Sequence, residues 1–460
     1  MSAVPGATAP PSASQSTVPF MEALRFWLKL GFISFGGPAG QIAIMHRELV
    51  EQKRWISERR FLHALNYCMV LPGPEAQQLA TYIGWLMHRT WGGIVAGGLF
   101  VLPSLLILVA LSWIYVAFGT IGWVAGLFYG IKPAVAAILL HAVWRIGSRT
   151  LKNPARVPLL WAIALASFVA IALLKIPFPL VIAAAALMGV LGARFAPAQF
   201  ATGGGGHDAA DKSWGPALID DHTPTPPHAL FRKSRLAKVV AAGALLWLVP
   251  MALLVASHGW SGTLAQMAWF FTKAAMLTFG GAYAVLPYVY QGAVEHAQWL
   301  TGAQMIDGLA LGETTPGPLI MVVAFVGFVG GWTRQVLGPD ALFLGGALAA
   351  TVVTWFTFLP SFLFILAGGP LVESTHGNLR LTAPLTAITA AVVGVIGSLA
   401  LFFLAHIARD RATLGLPFDA VALLIAAAAA LALFRFKAGV IPVIAGCAIA
   451  GMALRLAGVA

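Results

Sequence analysis

The sequence predicts an all-α polytopic membrane protein built from two inverted-topology repeats, with about 13 hydrophobic segments, some broken by glycine and proline. Three observations carry that prediction. Hydrophobic residues make up 59% of the 460 and charged residues only 10%, at a mean hydropathy of +0.86, and several apolar runs reach the ~20 residues that a spanning helix needs. The chain also matches itself at a constant offset of 244 residues. Lys29 falls on Lys273, Phe35-Gly36-Gly37 on Phe279-Gly280-Gly281, Trp55 on Trp299, and Pro72-Gly73-Pro74 on Pro316-Gly317-Pro318. Finally, the loop 46–60 carries Arg47, Lys53, Arg54, Arg59 and Arg60, whereas the repeat-related stretch 290–304 carries no Lys or Arg.

Residues 1–19 are rich in Pro, Ala and Ser and carry no charge. They lack the basic-then-apolar order of a signal peptide and read as a disordered tail. The first repeat is 20–195. Its opening apolar segment, 26–45, is broken at Phe35-Gly36-Gly37-Pro38, and the basic loop 46–60 follows. The segment 61–88 is broken at Pro72-Gly73-Pro74, while 91–118 and 123–147 are continuous. The next loop, through Arg145, Arg149, Lys152 and Arg156, is basic again. The positive-inside rule places both basic loops in the cytoplasm and 290–304 outside. Three full crossings between the two basic loops would put them on opposite faces. One segment must therefore return to its own side, and the segment broken by Pro-Gly-Pro is the natural candidate. Residues 196–235, with a glycine run and a proline cluster, read as a flexible cytoplasmic linker. Its His207, His222 and His228 with Asp208 and Asp211 match no metal-ligand spacing. The apolar helix 236–256 has no partner in the first half and supplies the odd crossing that inverts the second repeat, 257–460. There Leu359-Pro360-Ser361 answers Leu102-Pro103-Ser104, and Lys437 answers Lys175.

Composition also limits the chemistry. The net charge of +12 fits basic cytoplasmic loops or the attraction of an anionic substrate, and no nucleic-acid partner is expected. Cys68 and Cys447 lie far apart in apolar segments, so neither a disulfide framework nor a thiolate metal site is expected. The eleven histidines form no H-x-x-x-H pair, and no nucleophile-base set stands out. The chain reads as a transporter with no cofactor or metal, not as an enzyme.

The breaks are the candidate site. A half-helix that starts inside a membrane presents unpaired N–H groups and the positive end of its dipole, which together suit an anion. Gly36, Gly37, Gly73, Gly280, Gly281 and Gly317 let an oxyanion approach the backbone. Pro72, Pro74, Pro316 and Pro318 sit where a missing N–H loses nothing. Lys29 and Lys273, each seven residues before its Gly-Gly, are candidate charges for the anion or snorkelling anchors. Gln41, Gln77, Tyr283, Thr314 and Thr315 are neutral donors nearby. Glu75 and Glu313 repel an anion when ionised, so their expected task is proton coupling or the capping of a half-helix.

The motifs FGGPAGQ (Phe35 to Gln41), LPGPEA (Leu71 to Ala76), FGGAYAVLP (Phe279 to Pro287) and GLALGETTPGPL (Gly308 to Leu319) resemble the chromate ion transporter family in its long, two-domain form. The likeness covers nearly the whole chain outside the tail and central linker. It implies a multi-pass protein of the bacterial inner membrane that moves chromate, a tetrahedral divalent oxyanion, out of the cytoplasm and confers resistance. Coupling to protons or to a counter-anion is implied as well. Sulfate, a near-isostere, is the alternative substrate, and a homodimer is a further expectation.

Overall fold

The computed structural model describes residues 18–119, 121–200, 214–279, 281–374, 382–409, 413 and 416–458. Most of the expected tail, the linker positions His207, Asp208 and Asp211, and Gly280 lie outside them. Helix α1 (Phe20–Ile33) is followed by α2 (Gly37–His46), which runs into a π-helical turn at Arg47–Gln52. The Ser57 hydroxyl caps α3 (Glu58–Val70) by accepting from the Arg60 N–H. Helix α4 (Glu75–Phe118) starts past Pro74 and reverses at His88 and Arg89, whose dihedrals are non-helical. It therefore has two arms, 75–87 and 90–118. Next come α5 (Gly122–Thr150), α6 (Pro158–Ala172), α7 (Phe178–Phe195), the short α8 (Pro197–Phe200) and α9 (Lys233–His258). The second half repeats the order. Helix α10 (Thr263–Met276) and α11 (Ala282–Val289) lead into a π-helical stretch at Tyr290–His296. Helix α12 (Gly302–Thr314) is followed by a 3-10 turn, Leu319–Met321, that opens α13 (Val322–Thr333). The chain ends with α14 (Leu342–Ser374), α15 (Thr382–Arg409), α16 (Ala420–Phe434) and α17 (Val440–Leu456). Among the described residues six helices are long and apolar enough to cross a membrane (α4, α5, α7, α9, α14 and α15), and α6, α13, α16 and α17 are shorter apolar helices.

Each broken segment is a hairpin. Helix α1 doubles back on α2 and its π turn, pairing Lys29 with Glu48 at 3.3 Å, Glu22 with Lys53 at 3.7 Å, and the rings of Phe26 and Trp55 at 5.1 Å. The feet of α3 and of the first arm of α4 meet at Glu373. Its carboxylate takes the Tyr82 hydroxyl at 2.5 Å and lies 3.6 Å from the Arg60 guanidinium. In the second half, the Phe270 ring of α10 stacks on Tyr288 of α11 at 4.7 Å. Helix α12 packs on α13 at Gly308, where an added Cβ would lie 2.3 Å from the Phe325 ring. That hairpin is closed at its foot by Arg334 donating to the carbonyls of Ala297 and Gln298.

Two long helices show how the hairpins are arranged. Helix α14, 33 residues and so about 50 Å long, begins beside Phe328 and Gly331 at the foot of the α12–α13 hairpin. It passes the Pro-Gly-Pro break of the first half at Ser361 and ends at Glu373, beside Arg60 and Tyr82. The second arm of α4 answers it. That arm leaves Gly84 and Gly92 in contact at the first-half feet and passes Gly317 at Ser104. It finishes with Tyr115 bonded to Asp307, and with Trp113 against Phe343. The hairpins of the two halves thus come from opposite ends of these helices, and their tips meet between.

The outer helices are exchanged in the same way: α16 and α17 pack on α5, while α6 and α7 pack on α15. Glycine sets the closest approaches, because a Cβ on Gly130 would lie 1.9 Å from the Cys447 carbonyl, and one on Gly394 1.9 Å from that of Ala164. The backbone repeats too. Among the described residues the non-glycine positions with positive φ are Arg54 and Gln298, Arg89 and Gln335, and Lys175 and Lys437, each a first-half position with its second-half counterpart. Ser57 and Thr301, 244 residues apart, are both helix N-caps.

The loop after α5 and Gln291 of the 290–304 stretch lie near opposite ends of α6. The Leu159 N–H donates to Gln199 at 3.1 Å, bringing the loop after α5 to the end of α7. At the other end of α6, the Phe178 N–H donates to Gln291. The linker differs from the expected free chain over its described part. Ile219 bridges Ile56, the Ser57 hydroxyl donates to Asp221 at 2.6 Å, and Arg60 donates to the Thr223 carbonyl. His228 donates to the Trp85 carbonyl at 2.9 Å, and burial there pushes its imidazole below the usual value. This segment straps the feet of the α3 hairpin.

Candidate functional site

The four hairpin tips are tied together crosswise. The Gly73 N–H donates to the Thr278 carbonyl at 2.7 Å, and the Gly317 N–H donates to the Ser34 carbonyl at 2.8 Å. Position for position these are the same bond, made once by each half to the other. Both glycines have strongly positive φ, 126° and 108°, which an L side chain rarely adopts. Neither has room for one: a Cβ would lie 2.4 Å from the Ser361 hydroxyl at Gly73 and 2.8 Å from the Ser104 Cβ at Gly317. The sequence match of Leu-Pro-Ser to Leu-Pro-Ser is thereby explained. Each serine seats the opposite half's Pro-Gly-Pro.

Four helical segments begin at these tips among the described residues. They are α2 after Gly36, the first arm of α4 after Pro74, α11 after Gly281, and the turn opening α13 after Pro318. Each leaves its first-turn N–H groups without intrahelical partners. At Gly37 and Gly281 a Cβ would meet nothing within 4 Å, so the backbone there borders open space, in contrast to the packed Gly73 and Gly317. The starts of α2 and α11 are therefore the helix N-termini that border open space.

The expected side chains divide into those the fold gathers and those it does not. Gln41 is buried and donates to the carbonyls of Gly317 and Ser34, bracing one crossing. At the other, Gln78 donates to the Pro72 carbonyl at 2.8 Å. Gln77 is buried and bonds Thr81. Pro316 lies within the α12–α13 tip, between Thr315 and Gly317. The Tyr283 hydroxyl donates to Glu313 at 2.5 Å, with the Arg145 guanidinium 6.0 Å from the Tyr283 ring centre. Thr314 and Thr315 spend their hydroxyls on carbonyls of α12, those of Ala310 and Leu311. The Glu75 carboxyl, at the start of its arm, has no hydrogen bond or ion pair among the described residues. Lys29 and Lys273 are not brought to the tips. The Lys29 side chain is 58% exposed and pairs with Glu48, and exposed Lys273 lies over the Trp269 ring at 5.6 Å.

Some participants escaped the sequence reading. Ser34 and Thr278 are fully buried at the crossings, and their alignment at the constant offset was the available signal. Arg145 reads as a loop residue, yet it lies in the last turns of α5 and reaches the Tyr283–Glu313 pair. No group of three His, Cys, Asp or Glu side chains fit to hold a metal occurs among the described residues.

Comparison with known proteins shows the family. A family model described as chromate transporter matches residues 21–190 and 265–452, which leaves out the tail, the linker and the whole of α9. A chromate transport protein of Pseudomonas aeruginosa is 35% identical over 380 residues, covering 81% of this chain and 78% of that one. One from Cupriavidus metallidurans is 30% identical over 381 residues, covering 83% and 81%. A probable chromate transport protein of Synechococcus elongatus is 30% identical over 373 residues, covering 81% of each. No solved structure matches the chain.

Proposed function

The chain belongs to the chromate transporter family, and from that premise we propose that it is a secondary transporter exporting chromate across the bacterial inner membrane and conferring chromate resistance. Its halves, 20–195 and 257–460, are inverted-topology repeats. Helix α9 is the connecting span, and nine spanning helices with four hairpins make about thirteen hydrophobic segments. The single observation that carries the reading is the reciprocal crossing of the tips, which gathers helix N-termini from both halves around backbone that borders open space at Gly37 and Gly281. A tetrahedral oxyanion is held there by N–H groups and helix dipoles, with the break residues from Gly36 to Gln41 and from Gly281 to Tyr283 as its cradle. Lys29 and Lys273, exposed on the outer sides of their hairpins, draw the anion toward the protein by charge rather than by contact at the tips. Alternating access follows from moving one pair of hairpins against the other about the two crossing bonds, which are few enough to break and remake.

Glu75 and Glu313 are the coupling groups in this reading. A buried carboxylate beside a divalent anion is repelled through a low dielectric, so binding of the anion favours binding of a proton. The test is uptake of labelled chromate, and separately of labelled sulfate, into everted vesicles with and without a proton gradient. Gradient-dependent chromate uptake is expected, with sulfate a weaker competitor. Glu75→Gln or Glu313→Gln should retain chromate exchange while losing the gradient dependence. Equal uptake with and without the gradient would leave counter-anion exchange as the coupling, and saturable sulfate uptake without chromate uptake would overturn the substrate.

A further inference from the structure

Away from the tips, α12 carries a second buried carboxylate, and α5 supplies its cation. Asp307 is 3% exposed. Its Oδ2 accepts the Tyr115 hydroxyl at 2.9 Å and lies 3.9 Å from the Lys132 ammonium. Asp307 stands five residues into α12, about 8 Å from its start, whereas Glu313 is about 9 Å further along. The pair therefore lies between the tips and the end of the molecule that carries 290–304. The Lys132 side chain is 23% exposed and that of Asp307 only 4%, so the ammonium keeps an open side while its partner does not. Other ionisable groups on the surrounding elements are engaged elsewhere or sit apart. Tyr129 of α5 donates to Asp419, Arg455 of α17 packs over Gly126, and Tyr290 reaches Gly302. Cys447 of α17 lies against Gly130, and α13 contributes no ionisable side chain. Glu313, Arg145 and Tyr283 form the separate group at the tip.

We propose that Lys132 is an oxyanion-binding residue, held by Asp307 when no anion is present, and that an anion passing between the tips and this end exchanges with the Asp307 carboxylate for the same ammonium. An ammonium has three donors and no acceptor, and at 3.9 Å the carboxylate is at the limit of contact. Desolvating a buried ion pair offsets most of its attraction, so a displaceable pair costs the fold little to open. Lys29 and Lys273 lie exposed at the hairpins' outer sides, which leaves α5 to furnish cations along α12. The inference rests on the transport reading above and adds a residue which that reading does not use.

The test is equilibrium binding of labelled chromate to the purified full chain in lipid nanodiscs at about pH 8. Lys132→Gln should weaken binding about tenfold or more, the scale of a lost charge-assisted hydrogen bond, whereas Lys132→Arg should stay near wild type. Asp307→Asn should tighten binding, because it removes the carboxylate that competes for the ammonium. Wild-type affinity in Lys132→Gln would overturn the proposal. So would an Asp307→Asn protein that binds as weakly as Lys132→Gln, or full recovery of binding in the charge-swapped Lys132→Asp, Asp307→Lys double variant, since each marks a static pair. A wild-type protein that binds sulfate and not chromate defeats the substrate reading alone, and the same variants then judge Lys132 with sulfate.

Discussion

At Gly73 and Gly37 the same residue type serves opposite purposes. Gly73 combines a positive φ with a Cβ position 2.4 Å from a hydroxyl and 2.6 Å from an amide nitrogen. Alanine there must strain the backbone and push apart two packed helices. Gly37 has positive φ but open space beside it, so alanine costs only the backbone term of about 1–2 kcal/mol. The expected outcome is that Gly73→Ala and Gly317→Ala lose most of the folded protein from detergent-solubilised membranes, as followed by fluorescence-detected size exclusion. Gly37→Ala should keep the protein at near wild-type amounts and lose chromate transport, because its Cβ fills space the anion needs. A transporting Gly37→Ala protein would remove the α2 start from the site. The contrast was half legible in the sequence. Both glycines stand out as helix breakers in an apolar run, but only their neighbours across the crossing, Ser361 and Ser104, separate a packed glycine from an open one.

Among the elements, the helices that matter most to the architecture are held by exchange between halves. Helix α5 takes α16 and α17 from the second half, and α15 takes α6 and α7 from the first. Lipid supplies no hydrophobic drive for helices to associate, so close packing at small residues has to hold them. Gly130 and Gly394 are the related points where backbones touch. Leucine at either would separate its helix pair by several ångströms. Gly130→Leu and Gly394→Leu are expected to lower the melting temperature of the purified protein markedly, whereas leucine at Gly98, where a Cβ meets nothing within 4 Å, should leave it within a degree or two. Equal effects at all three would mean that these contacts do not hold the bundle.

For the whole molecule, the crossing bonds and exchanged helices mean that neither half buries its own surfaces. Residues 1–205 and 206–460, produced as separate chains, should each be unstable alone and reassemble when co-expressed, with chromate transport restored. Their amounts in the membrane, singly and together, provide the check. Stable accumulation of either half alone would contradict the interlocked packing. The arrangement of feet and tips makes a second expectation at this scale. Single cysteines at Ser57 and Thr301, in a protein lacking Cys68 and Cys447, should react with impermeant reagent from opposite faces of the membrane.

The sequence by itself determined the membrane class, the duplication at an offset of 244, the four breaks and the asymmetry of basic loops. Each of these is written along one dimension, in hydropathy, in periodic identity or in the positions of glycine, proline and charge. It also required one segment between the basic loops to turn back, and the α3 hairpin does so. Tertiary structure alone decided what each break touches. Gly73 bonds Thr278 and Gly317 bonds Ser34, partners more than two hundred residues away that no local pattern can name, because hydrogen bonds at a hairpin tip are assigned by where the tip is carried. The same holds for charge. Lys29 and Lys273 sit two turns from their breaks in sequence, yet the helix face that bears them turns outward. Lys132 and Asp307 lie in unrelated segments and meet because α5 packs against α12. Periodicity tells a helix that it has a buried face; only the neighbouring helices settle which side chains that face meets.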